Sequence, residues 1–187
     1  KDEAKKKLGL EGKTVLLYFG YLTGYKGLKE LLDAYRNVAK KISNTVLVIA
    51  GGPHPRLIRE KWYRDWIREL VKKALTIQQE VKDRGRVVFT GYVPEDRIPL
   101  YFSAADIVVL PYKARIAASG PEALAIAFEQ MYVKAQLLNC QYKKGIMLRN
   151  IEKLVFDSRA KQLTLEKIIK RKEMRLWINI AKHYDRL

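Results

Sequence analysis

The chain has 187 residues, 48% hydrophobic and 30% charged, which suits one folded domain with a substantial core and excludes a disordered or fibrous polypeptide. No apolar run approaches the ~18 residues that span a bilayer, and the first residues do not read as a signal peptide. One cysteine, Cys140, rules out an internal disulfide and fits a reducing, cytoplasmic compartment; two histidines far apart, His54 and His183, argue against a metal site.

The net charge is +17, unevenly spread: residues 1–129 hold 23 Lys/Arg against 15 Asp/Glu, and residues 130–187 hold 14 against 5. That field suits a polyanion, an anionic membrane surface or a charged small ligand, and equally a solvated basic helical tail. The chain opens on Lys1 rather than Met, and Lys1–Lys7 reads as a solvated helix entering the domain. The expectation is a piece of a longer polypeptide.

In chain order the first strand is Thr14–Phe19, a continuous apolar run that breaks into Gly20-Tyr21-Leu22-Thr23-Gly24-Tyr25-Lys26-Gly27. A helix over about 28–41 follows, with Leu28, Leu31, Leu32, Tyr35 and Val38 on one stripe. The second strand, Thr45–Ala50, ends in Gly51-Gly52-Pro53. A long charged helical stretch over about 55–84 is expected to bury Leu57, Trp62, Trp66, Leu70 and Val71. The third strand is Arg86–Thr90, and a short helix runs from about Pro94 to Ala104. The fourth strand is Ile107–Leu110, and a further helix extends from near Pro121 to about Tyr132. Beyond it, 136–140 reads as strand or helix, 146–148 as a short strand, and 164–184 as a long basic helix with Ile168, Ile169, Leu176, Trp177 and Ile180 as its apolar face.

Alternation of helices with near-continuous apolar strands predicts a Rossmann-like open parallel sheet covered on both faces, in a single domain over 1–187. The strand ends then form four lips. In the first, Lys26 stands just before a helix, where its ammonium and the helix dipole can face an anion; a tight turn with an exposed lysine fits as well. The second lip is Gly51-Gly52 and the third carries Tyr92 and Val93, with Tyr92 able to stack on a base. In the fourth, Ser119 can cap a helix, Gly120 admits an anion to its N–H groups, and Glu122 either completes the cap or meets ligand hydroxyls. Neither a dinucleotide fingerprint nor a Walker loop is present.

The series Phe19-Gly20…Lys26-Gly27, Val48–Pro53, Val88–Pro94, Tyr101–Pro111 and Ser119-Gly120 resembles the C-terminal half of a GT-B glycosyltransferase of the large retaining "group 1" family. The similarity covers about residues 8–130 in order and spacing, and 145–185 weakly. It implies a site for a nucleoside diphosphate-sugar, with Lys26 neutralising the diphosphate leaving group without a metal. It implies that Tyr92 and Val93 lie beside the base, and no cofactor beyond the donor substrate; Gly20, Tyr21, Gly51, Gly52, Ser119, Gly120 and Glu122 are the other expected donor contacts, although Glu122 does not fall at a family glutamate position. It also implies an N-terminal domain, outside this sequence, for a sugar or lipid-linked acceptor, so the isolated domain is expected to be inactive. The inner face of a membrane is a compatible location, and nucleic acid is not the expected partner.

Three positions depart from the family. Tyr21 stands where an arginine is usual, and Ala117 and Ala125 stand where paired glutamates are usual. The next family strand is reduced to 133–138, and its glycine-rich turn is missing between Cys140 and Gly145. These losses motivate an alternative: a non-catalytic descendant of the fold that binds a protein, an anionic lipid or nucleic acid through its basic surface.

Overall fold

The computed structural model describes residues 1–113, 119–134, 149–151, 153–155 and 157–184; the elements expected over 136–140 and 146–148 lie outside them, as do the side chains of Leu176, Trp177 and Ile180. Five parallel strands form one sheet: β1 (Thr14–Phe19), β2 (Thr45–Ala50), β3 (Gly85–Gly91), β4 (Ile107–Leu110) and β5 (Tyr132–Lys134). Their order is β3-β2-β1-β4-β5, so the winding reverses between β1 and β4. Crevices at such a reversal, outside the carboxyl ends of the strands, are where open parallel sheets bind ligands.

Alternate residues explain why the inner strands are apolar on both faces. Leu16, Tyr18, Leu47 and Ile49 pack under α2 (Leu28–Lys41) and α3 (Lys61–Val81). Val15, Leu17, Val46 and Val48 face the other way, toward Phe102 of α4 (Ile98–Ala104) and Ala125 of α5 (Gly120–Ala127). With both faces covered, the inner strands β1, β2 and β4 are apolar beyond Thr14 and Thr45 at their starts, while Arg86, Thr90 and Lys134 stand in the edge strands β3 and β5. The helix α1 (Asp2–Lys7) packs beside α4, and a long α6 (Ser158–Tyr184) lies against α5. No helix among the described residues is long and apolar enough to cross a membrane.

Buried polar groups fasten the amino-terminal ends of the strands. Tyr35 Oη accepts the Arg86 N–H at 2.8 Å and faces the Thr45 carbonyl at 3.0 Å, joining α2 to β2 and β3. Asp106 accepts from Lys5 Nζ at 2.6 Å, the Val15 N–H at 2.8 Å and Lys1 Nζ at 3.2 Å. Burial disfavours the ionised Asp106, but those donors outweigh it and hold its carboxyl below the usual range.

Three expectations need correction. The stretch 55–84 is not one helix: Pro55–Arg59 form a turn, and α3 begins at Lys61. Its buried side is Tyr63, Leu70, Ala74, Ile77 and Val81, whereas Trp62 and Val71 are exposed. The spacing from 63 to 70, 74, 77 and 81 is the helical stripe, and aromatic size at Trp62 masked it. The helix from Pro121 stops at Ala127 rather than Tyr132, because Glu129 adopts a left-handed φ of 52° and Tyr132 pairs with Val108 as strand β5. The last helix starts at Ser158, not 164; within it Ile168 is buried and Ile169 exposed.

Candidate nucleotide-sugar site

Backbone contact between loops sets the shape of the site. Gly20 N–H donates to the Ala50 carbonyl at 2.9 Å and Leu22 N–H to the Gly52 carbonyl at 3.1 Å, so the segment after β1 continues alongside that after β2. A β-carbon on Gly51 would overlap the Gly20 carbonyl, so the approach requires glycine there. Gly27 is equally constrained: its φ is 70°, and a β-carbon would run into the Pro111 carbonyl oxygen at the end of β4. The Lys113 N–H donates to the Tyr25 carbonyl at 2.8 Å, closing the first loop against the fourth.

Two buried tyrosines support this rim from below. Tyr18 Oη donates to the Tyr21 carbonyl at 3.1 Å. Tyr63 Oη donates to the Leu22 carbonyl at 2.5 Å and accepts the His54 N–H at 2.8 Å, tying the loops after β1 and β2 to α3. Burial pushes both phenols upward, which keeps the hydroxyl protons in place. Sequence reading missed Tyr63, although its place on the α3 stripe is visible in the spacing.

The result is a cleft of about 260 Å³ at the winding reversal. Gly20, Tyr21 and Lys26 line it from the first loop, Gly51 from the second, Tyr92 and Val93 from the third, and Gly120 from the start of α5. Phe19, Ile98, Pro121 and Leu124 make most of the remaining wall apolar, and Glu95 adds one acid. Tyr92 is 66% exposed at the mouth, open for stacking, while Val93 is buried beneath it. Tyr21 is 38% exposed and meets His54 edge to face at 5.2 Å.

Lys26 is the cation of the cleft. It closes a single 3₁₀ turn, Gly24–Lys26, directly before α2, and its Nζ lies 2.6 Å from where a β-carbon on Gly20 would sit. Among the described residues no carboxylate pairs with it. Burial pulls its ammonium below the usual lysine range, so it is held in a poorly solvated place without a counter-charge.

Gly52, Ser119 and Glu122 stand behind the cleft wall rather than on it. Gly52 lets the Tyr92 backbone approach, since a β-carbon would be 3.2 Å from its nitrogen. Ser119 caps α5, accepting the Glu122 N–H at 3.2 Å and bonding Tyr112 Oη at 2.7 Å. Glu122 is turned toward β5: it accepts from Lys134 Nζ at 2.7 Å and Tyr132 Oη at 3.3 Å, with Arg171 of α6 at 3.9 Å. Ala125 is buried in α5, and Ala117 lies outside the described residues. Among the described residues no three His, Cys, Asp or Glu side chains gather as metal ligands do.

The sequence model of "Glycosyl transferases group 1" matches residues 1–133. The chain belongs to that family. The Bacillus subtilis protein YtcC is 34% identical over 106 residues, which is 56% of this chain and 24% of YtcC. The chain therefore spans about a quarter of the curated relatives it matches. In fold it is similar to the C-terminal domain of the group 1 family protein LpcC from Francisella tularensis, with a TM-score of 0.71, 18% identity and 92% of each chain covered. It is also similar to Anabaena HepE, solved in complex with UDP-glucose, with a TM-score of 0.75 and 18% identity over all of this chain and 52% of that one.

Proposed function

We propose that this chain is the donor-binding domain of a glycosyltransferase, taking a nucleoside diphosphate-sugar whose sugar passes to an acceptor held by another domain. The observation that carries this reading is Lys26: a half-buried ammonium with no carboxylate partner among the described residues, at the glycine-lined reversal point of the sheet. An unpaired cation in poor solvent is costly for a fold and useful for an anion. Membership of the group 1 family and the similarity to HepE support the same reading.

The chemistry follows from charge. As the bond between sugar and phosphate breaks, negative charge grows on the leaving diphosphate. Lys26 lines the cleft with no carboxylate partner among the described residues, so it can bind that growing charge more tightly than the ground state. Lys26 performs without a metal the role a divalent cation plays elsewhere. Tyr92 covers the base and Val93 supports it. Titration calorimetry with UDP, GDP and ADP tests the binding step; no saturable heat with any of them would refute it.

A second reading is favoured by one observation. Glu122 is committed to Lys134, and Ala125 carries no carboxylate, so α5 offers no acid to a donor sugar. The domain would then hold a nucleoside diphosphate without transferring sugar. A radiolabelled-donor assay that shows binding but neither transfer nor hydrolysis, with the acceptor-bearing domain present, would select it.

A further inference from the structure

We infer that the turn between β2 and α3, together with the first turn of α3, is a docking surface for an anionic lipid bilayer. Trp62 is 60% exposed and Ile58 39% exposed, two large apolar side chains left in water. Around them Arg56, Arg59, Lys61 and Arg64 are all exposed, with Glu60 the one acid between 56 and 64. An indole has an apolar body and an N–H that suits the headgroup layer, and guanidinium groups bind phosphate bidentately. Alternation of apolar and cationic side chains in one surface matches a bilayer, which presents acyl chains and phosphates at neighbouring depths.

The surface is preformed. Leu57 and Ile58 N–H groups donate to the His54 carbonyl at 3.0 and 3.1 Å, and Glu60 N–H to the Leu57 carbonyl at 2.9 Å. The Arg64 guanidinium reaches back to the carbonyls of Ile58 and Arg59, bracing the turn against the helix. Trp62 rests edge to face on Tyr63 at 5.7 Å. Little ordering entropy remains to be lost on docking. Tyr63 is also the group that ties Leu22 to His54, so this surface and the cleft rim share one support.

Two rivals fit less well. A nucleic acid would use cations and stacking faces, but Ile58 offers a base nothing to stack on. The basic α6 has exposed Leu163, Ile169 and Met174, yet its Lys172 is taken by Glu129 at 2.6 Å and its Arg171 reaches Tyr132 and Glu122.

Cosedimentation of the whole chain with phosphatidylcholine vesicles, and with vesicles rich in phosphatidylglycerol, at low and high salt, tests the inference. Binding should require the anionic lipid and weaken with salt. Since each basic residue at an anionic surface changes partitioning roughly fivefold, R56Q/R59Q/K61Q should lower binding by on the order of a hundredfold, and Trp62→Ala by about tenfold. Brominated lipid should quench the wild type's fluorescence, and Trp62→Phe should lose most of that quenching. Circular dichroism melts of each variant separate misfolding from lost docking. Equal binding to both vesicle types overturns the inference, as does wild-type binding by the turn variants while Lys167→Glu with Lys170→Glu abolishes it. So does loss of RNA binding or of a dimer in Trp62→Ala without any lipid effect. None of these outcomes bears on donor binding, which the calorimetry tests separately.

Discussion

At the amino-terminal ends of the strands, Lys5 and Lys1 converge on Asp106, which also takes the Val15 N–H. At the carboxyl ends, Lys26 is half-buried with no carboxylate partner among the described residues. The first arrangement satisfies every charge it buries and fastens α1 to the sheet. The second leaves a charge unsatisfied within a frame of close backbone contacts. A fold tolerates that only where the surrounding structure is firm enough to carry the cost, and such sites are where anionic ligands bind. Lys5 and Lys1 hold the domain together through a carboxylate, whereas Lys26 stands without one among the described residues.

The largest expected effect lies in the frame. Gly27→Ala puts a β-carbon into the Pro111 carbonyl at a left-handed φ of 70°, and should cost roughly 3 kcal/mol, lowering the melting temperature by on the order of 10 °C. Asp106→Asn strands two lysines and should cost about 2 kcal/mol by urea unfolding, with nucleotide affinity unchanged. Because the folded state holds the Asp106 carboxyl below its ordinary range, its contribution is present at neutral pH. It is lost as pH falls below the ordinary carboxylate range and on through the depressed folded value. The Asn variant should therefore melt with a flatter acid limb than the wild type.

Tyr63→Phe removes two hydrogen bonds that join α3 to the rim and should cost about 1–2 kcal/mol, with a few-fold loss of nucleotide affinity. Equal affinity in that variant would show that the rim keeps its shape without α3. The smallest effect belongs to Glu122→Gln. Its carboxylate serves Lys134 and β5 rather than the cleft, so calorimetry should show less than about twofold change in nucleotide affinity.

Much of this contrast was legible in the residues. The bounds of β1, β2 and β4 follow from uninterrupted apolar runs stopped by Gly20, Gly51 and Pro111, because a strand covered on both faces has no polar register to confuse. The α3 stripe was not, since Trp62 stands where size suggests burial while Tyr63 takes the core position. Glycine spacing pointed to the cleft, and Gly20, Gly51 and Gly120 do line it. The direction of Glu122 depends on Lys134 in β5 and Arg171 in α6, distant partners that no local pattern could supply. Asp106 stands between the short helix and the fourth strand, and its pairing with Lys5 is a tertiary fact.

Lys26→Met, read by melting temperature and by calorimetry with nucleoside diphosphates, tests the central claim most directly. Burial disfavours the charged form, so removing the charge should raise the melting temperature at neutral pH while diphosphate affinity falls by on the order of tenfold or more. The wild type's affinity should also decline with rising pH earlier than an ordinary lysine would dictate. A variant that melts lower and still binds the diphosphate as tightly as the wild type would contradict the account.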